Sequence, residues 1–259
     1  MEVLMIGDIV GKPGRRCLQR FFAVHSIRDK YDLIIANGEN AAGGAGLTAK
    51  VTAELKEIGI DVITGGNHSW DRREIIEFIE KDNTVLRPAN LPPETTPGNG
   101  SIVLEKAGLK IAVLNLMGRV FMEPSDCPFR VADRELQRLN KIADIVFVDF
   151  HAEATSEKQA MGWYLDGRVC AVVGTHSHVQ TADERILPGG TAYITDVGMT
   201  GLKDSVLGVD KEGALKRFLT RMPHRLTITD GETIINAVEV EINRGKGETT
   251  HINRIFEVA

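Results

Sequence analysis

Cys170-Ala171-Val172-Val173-Gly174-Thr175-His176-Ser177-His178-Val179 runs from an apolar segment straight into two histidines one residue apart. The apolar run is too short for a helix and rich in β-branched residues, so it reads as a buried strand. If the backbone stays extended there, successive side chains alternate, and His176 and His178 face the same way. Two imidazoles at a strand end are a natural pair of metal ligands; two unrelated loop histidines are the plain alternative. Four other apolar runs end in residues of the same kind, and that recurrence favours ligands.

Along the chain, strands and helices alternate. The first strand, Met1 to Ile6, leads into the turn-rich Gly7-Asp8-Ile9-Val10-Gly11-Lys12-Pro13-Gly14, and a helix is expected from about Arg15 to Ile27. Asp32 to Ala36 is the second strand, running into Asn37-Gly38-Glu39-Asn40. The loop Gly43-Gly44-Ala45-Gly46 precedes a helix capped at Thr48 and stopped at Gly59. Asp61 to Thr64 is the third strand, ending at Gly65-Gly66-Asn67-His68, and Asp71 with Glu74 predicts a capping box opening the next helix. A Pro-rich loop, Pro88 to Pro97, leads to a hairpin across Gly108 and a strand from Lys110 to Leu116. After the long loop Gly118 to Pro128, a helix from about Ala132 to Ile142 and a strand from Ile145 to Phe150 bring the chain to His151. A helix from Glu157 to Leu165, the histidine-bearing strand, a strand from Thr191 to Thr195, a helix from Glu212 to Thr220 and a hairpin turning at Asp230-Gly231 complete the pattern. This alternation implies α/β architecture with mostly parallel strands covered by helices, as one domain over residues 1–259. Ligands then gather at the carboxyl ends of the strands.

Composition narrows the class. The chain has 259 residues, 42% hydrophobic and 26% charged, which is ordinary for a globular protein. A formal net charge of −5 argues against non-specific binding to nucleic acid or an anionic membrane, and no stable nucleic-acid complex is expected. No stretch is long and apolar enough to span a membrane, the first residues do not resemble a signal peptide, and Cys17, Cys127 and Cys170 show no paired spacing. The expectation is a cytoplasmic protein, with self-association left open.

Asp8, Glu39, Asn40, Asn67, His68, His151, His176 and His178 all fall at or just beyond strand ends. Carboxylate, amide and imidazole donors without thiolates suit Fe, Mn or Zn. They exceed the needs of one ion and predict two divalent transition-metal ions ~3.5–4 Å apart. Asp8 and Glu39 neutralise only part of that charge, so the site favours a hydroxide between the metals and attracts a phosphate group. Attack on phosphorus leaves an alkoxide needing a proton, and His68, next to a ligand but without a second histidine beside it, is the expected general acid.

Asp8-Ile9-Val10-Gly11, Gly38-Glu39-Asn40-Ala41-Ala42-Gly43-Gly44, Asn67-His68-Ser69-Trp70-Asp71, Asp149-Phe150-His151-Ala152-Glu153, Gly174-Thr175-His176-Ser177-His178 and Asp196-Val197-Gly198-Met199-Thr200-Gly201 together resemble the calcineurin-like metallophosphoesterase superfamily. Within it they resemble the bacterial YmdB-type phosphodiesterases, over the first 205 or so residues. Val10 replaces the histidine of the usual Asp-x-His, and Glu39 with Asn40 replaces the usual bridging Asp; the YmdB-type group shares both departures. The resemblance implies a four-layer α/β/β/α sandwich that hydrolyses phosphodiesters, including 2′,3′-cyclic nucleotides. It also implies one metal held by Asp8, Glu39, Asn40 and His178, a second by Glu39, Asn67, His151 and His176, and His68 as proton donor.

Other residues carry weaker readings. Gly43 to Gly46 forms either an anion nest or a plain turn, and Arg119 either a phosphate contact or a surface arginine. Asp149 or Glu153 is placed to hold the second nitrogen of His151. His25, His224 and His251 read as structural or surface residues, and the cysteines as buried. Two other functions fit the same donors: a two-metal hydrolase of amides or thioesters, and a metal- or nucleotide-binding regulator with little turnover.

Overall fold

The computed structural model describes residues 1–92 and 96–259; the middle of the Pro88–Pro97 loop lies outside the described residues. In chain order the elements are β1 (Glu2–Ile6), β2 (Asp8–Ile9), α1 (Gly11–His25), α2 (Ile27–Lys30), β3 (Leu33–Asn37), α3 (Ala49–Ile58), β4 (Val62–Thr64) and α4 (Ile75–Ile79). There follow β5 (Ser101–Lys106), β6 (Leu109–Met117), α5 (Pro128–Leu139), β7 (Ile145–His151), α6 (Thr155–Leu165) and β8 (Ala171–Thr175). The last are β9 (Arg185–Ile186), β10 (Ala192–Ile194), β11 (Met199–Leu202), α7 (Lys211–Thr220), β12 (Thr233–Ile242) and β13 (Thr249–Val258).

Two sheets form. One runs β2-β11-β12-β1-β3-β4 with β13 paired to β12, and the other runs β5-β6-β7-β8-β10-β9. The pairings β1–β3, β3–β4, β2–β11, β6–β7, β7–β8 and β8–β10 are parallel; β12 lies antiparallel between β11 and β1, and β13, β5 and β9 add antiparallel to β12, β6 and β10. The period-two alternation along the strands sorts the apolar side chains into layers. Val3, Met5, Leu33 and Ile35 face Ile111, Val113, Phe147 and Val173 in a core between the sheets. Leu4, Ile6, Ile34 and Ile63 point the other way, onto Leu18, Phe21 and Phe22 of α1 and Val51 and Leu55 of α3. Leu114, Val146, Val148 and Val172 cover Val131 and Leu136 of α5 and Met161 and Leu165 of α6. The result is the four-layer α/β/β/α sandwich.

Several expected boundaries move for local reasons. Helix α1 begins at Gly11, inside the expected turn, because the N–H of Gly14 already bonds to the Val10 carbonyl at 3.2 Å. The capping box at Asp71 does not form. Its carboxylate accepts from the His68 ring at 2.8 Å instead, and α4 starts only at Ile75. Asp230-Gly231 is not a hairpin turn. The preceding segment has no strand, and the final hairpin pairs β12 with β13 across residues 243–248. The Gly108 hairpin forms as expected, with Ala107 and Gly108 both at positive φ. Cys17 and Cys170 are buried, whereas Cys127 is only half-buried at the start of α5. Among the described residues no helix is long and apolar enough to cross a membrane.

The Thr48 hydroxyl accepts from the Val51 N–H at 3.2 Å, capping α3 as its sequence predicts. Thr48→Ala should lower unfolding stability by about 1 kcal/mol in urea denaturation, and Thr48→Ser should restore most of it.

Candidate metal centre

The carboxyl ends of the parallel strands from both sheets meet at one edge of the sandwich. Asp8 lies in β2, Glu39 and Asn40 just beyond β3, Asn67 and His68 just beyond β4, His151 at the end of β7, and His176 and His178 just beyond β8. Asp8, Glu39, Asn40 and His151 are buried; Asn67, His68, His176 and His178 are half-buried around them. At Gly66 an added Cβ would lie 2.3 Å from both Glu39 Oε2 and the His151 ring, so this position admits only glycine.

His151 Nε2 is the geometric centre of one group. It lies 3.0 Å from Asn67 Oδ1, 3.0 Å from His176 Nδ1 and 3.2 Å from Glu39 Oε1. The ring's other nitrogen is fixed by a chain of buried groups. Thr175 Oγ1 donates to Asp149 Oδ1 at 2.8 Å and therefore accepts from His151 Nδ1 at 2.9 Å. Thr64 Oγ1 donates to the other Asp149 oxygen at 2.5 Å. Asp149 thus reaches His151 only through Thr175, and Glu153 does not reach it. Glu153 accepts instead from His176 Nε2 at 3.0 Å, which leaves His176 Nδ1 with its lone pair toward the cluster. In these tautomers four acceptor atoms converge. Ligand atoms about 2.1 Å from one ion at right angles lie about 3 Å apart, which is the spacing found here.

A second group adjoins the first. His178 Nδ1 donates to the Leu207 carbonyl at 3.0 Å, leaving Nε2 at 3.2 Å from Asn40 Nδ2 and 3.8 Å from Asp8 Oδ1. Asp8 Oδ2 accepts from the His176 N–H at 3.1 Å, but Asp8 Oδ1 is buried without any hydrogen-bond partner. Such an orphan is costly unless a cation sits beside it. Asn40 Nδ2 also donates to Glu39 Oε1 at 3.1 Å, and a half-turn of the amide exchanges its nitrogen for its oxygen at that spot. Glu39 Oε1 touches both groups, through His151 in one and Asn40 in the other, and Glu39 Oε2 accepts from the His68 N–H at 3.0 Å.

The electrostatics ask for positive charge. Burial would raise the Glu39 pKa, but His151 outweighs it and holds the carboxyl near 2. Burial likewise disfavours charge on His151, yet Glu39 and then Asp8 lift its pKa to about 9. Burial, with His151 adding to it, pushes His176 down to about 3. Burial pushes Asp8 up. A cluster that recruits a proton onto a fully buried ring is equally prepared for a cation, and the N and O donors fit divalent transition ions.

His176 and His178 are not in extended backbone. Their φ angles are 98° and 63°, so β8 stops at Thr175 and the pair points inward through a turn rather than by strand alternation. That turn is fastened by residues for which no role is expected from sequence. Asp196 Oδ2 accepts from the Ser177 N–H at 3.0 Å and from Lys158 Nζ at 2.5 Å, and Asp196 Oδ1 accepts from the Gly198 N–H at 2.8 Å. Lys158 is 2% exposed and Asp196 fully buried. Thr175 and Asp196 lie in quoted motifs, but Lys158 sits on a helix with no motif around it and leaves no sequence signal. His68 stands apart from the convergent atoms, its ring held by Asp71. Gly43 to Gly46 is a turn: Arg72 donates to the Ala42 and Ala45 carbonyls at 2.9 Å and 3.1 Å and occupies its rim. The Arg119 side chain is exposed, as a surface arginine would be.

Comparison with known proteins agrees with this architecture. A family model described as YmdB-like protein matches residues 4–255. A 2′,3′-cyclic-nucleotide 2′-phosphodiesterase of Bacillus subtilis (strain 168) is 50% identical over 256 residues, covering 99% of this chain and 97% of that protein. The crystal structure of a hypothetical protein from Thermus thermophilus superposes with a TM-score of 0.93 at 45% identity, covering 100% of this chain and 99% of that one. A 5′-nucleotidase precursor from the same organism shares the fold at 14% identity, with a TM-score of 0.57 over 99% of this chain and 54% of its own length. The family match runs through the strands of both sheets and every residue of the cluster, and the chain belongs to the YmdB-like protein family.

Proposed function

We propose that this chain is a two-metal phosphodiester hydrolase that opens 2′,3′-cyclic nucleotides. The observation that carries the reading is the convergence of Asn67 Oδ1, His176 Nδ1 and Glu39 Oε1 within 3.0–3.2 Å of His151 Nε2, beside the orphaned Asp8 Oδ1. The name of the Bacillus subtilis relative supports the choice of substrate. Glu39, Asn67, His151 and His176 would hold one divalent ion and Asp8, Glu39, Asn40 and His178 the other, with Glu39 shared. Fe or Mn, and then Zn, suit these donors. Bound there, the ions would polarise the phosphoryl group and acidify the attacking water.

The remaining work falls to side chains. His68, tied at Nδ1 to Asp71, offers Nε2 to pass a proton to the departing ribose oxygen. Thr175 and Asp149 keep the His151 proton on Nδ1, so the Nε2 lone pair would be free to hold an ion. Because both sheets supply ligands, the reading treats residues 1–259 as one domain. The free thiols of Cys17, Cys127 and Cys170 support a cytoplasmic setting.

Metal-loaded protein assayed on cyclic and linear phosphodiesters tests the function. Turnover of 2′,3′-cyclic nucleotides is expected; activity confined to phosphomonoesters or to amides overturns it. Metal analysis should give about two ions per chain. Glu39→Gln should lose more metal than Asp8→Asn, and equal losses would count against a shared Glu39. His68→Ala should fold, keep both ions and lose roughly 10²–10⁴-fold on substrates with poor leaving groups, but far less on an aryl phosphodiester. Metal loss, or equal slowing on both, would make His68 a ligand or a phosphate clamp.

A further inference from the structure

One part of the chain meets the cluster through a single carbonyl. Leu207 O accepts from His178 Nδ1, and Leu207, half exposed at a positive φ, also borders a second space. Together with Val209, Arg217, Phe218, Arg221 and Leu226 it lines a cavity of about 560 Å³. That volume is in the range of small-ligand sites, and the walls are apolar apart from two guanidinium groups.

A later residue of the same segment reaches the other side of the cluster. Ile228 packs so close to the start of α1 and the loop after β3 that a Cβ at Gly11 or Gly44 would lie 2.8 Å or 2.7 Å from its Cδ1. The segment from Lys203 to Gly231 therefore borders the Asp8, Asn40 and His178 half of the centre. Its surface is unlike the rest of the protein. Residues 211–225 include Lys211, Lys216, Arg217, Arg221 and Arg225 against the single acid Glu212, in a chain whose formal net charge is −5. Phe218 is 77% exposed and Met222 66%, with Leu215 and Leu219 also open to solvent among these cations. The whole-chain charge conceals this island.

A cyclic mononucleotide has one phosphate, and the metal cluster takes it. Two arginines one cavity further on then have no anion to meet, and an open aromatic ring has no base. A longer substrate supplies both. We propose that this wall is a binding track for the 3′ end of a single-stranded oligoribonucleotide carrying a terminal 2′,3′-cyclic phosphate. The inference rests on the phosphodiesterase reading and names its substrate class. The terminal phosphate lies at the cluster, Arg217 and Arg221 meet the next phosphates, and an upstream base stacks on Phe218. The reaction is unchanged: water oxygen bonds to phosphorus, the P–O2′ bond breaks, the 2′ oxygen takes the proton, and a 3′-phosphate end remains.

The test compares kcat/KM of the metal-loaded enzyme on adenosine 2′,3′-cyclic phosphate and on a hexaribonucleotide ending in the same group. The hexamer should be favoured about tenfold or more at low salt. Phe218→Ala, and Arg217→Ala with Arg221→Ala, should remove most of that preference while leaving mononucleotide turnover unchanged. The double arginine variant should also flatten the logarithmic salt dependence of hexamer turnover by about 0.7 per lost contact. Equal kcat/KM on the two substrates, with the mononucleotide turned over, overturns this proposal alone; failure on both overturns the phosphodiesterase reading with it. Sedimentation velocity decides against a rival occupant. If Phe218→Ala dissolves an oligomer and the hexamer preference survives, the face belongs to a second copy of the chain and the proposal is wrong.

Discussion

The carboxylate of Glu39 is the join on which the cluster depends. It leaves the end of β3 in one sheet, accepts the N–H of His68 from beyond β4, and faces His151 of the other sheet at 3.2 Å. A buried carboxylate is costly unless it is paired and hydrogen-bonded, and every contact here comes from a different strand end. The two sheets must therefore sit at one separation and one rotation for this charge to be satisfied. Gly66 enforces the same fit sterically, since any side chain there would strike both Glu39 and His151.

Much of this was legible in the sequence. The apolar runs marked in advance which strands are buried on both faces, and the odd–even alternation of Val3, Leu4, Met5 and Ile6 between two cores follows from the pleat. The strand-end residues collected at one edge because parallel strands share a direction. What failed was local pattern overruled by distant partners. Asp71 had the spacing of a cap, but a ring just outside the expected helix offered its carboxylate a better use. The turn assigned to Asp230-Gly231 had the right dipeptide without a strand before it, and pairing with β1 and β13 placed the real hairpin elsewhere.

The histidine pair shows a subtler limit. Alternation along a strand was the wrong reason for both rings facing inward, because the backbone leaves extended geometry at His176. Positive φ is strained for non-glycine residues, and the turn persists because the buried Lys158–Asp196 pair grips the Ser177 N–H. Nothing at the level of spacing points from position 158 to position 177. Only tertiary structure brings a lysine of α6 under a loop that follows β8.

The place of β12 has a consequence for how such a centre comes into being. Among the described residues, strand β2, which carries Asp8, pairs only with β11, and β11 joins β1 only across β12. Even the terminal amine of Met1 donates to the Ile242 carbonyl, at 2.8 Å. Residues near the start of the chain thus wait for some of the last to be made before their sheet can close. Contacts so distant in sequence form slowly. The donors on β3, β4, β7 and β8 belong to pairings that do not need β12, so the half of the cluster that contains Asp8 would be the last to come into place.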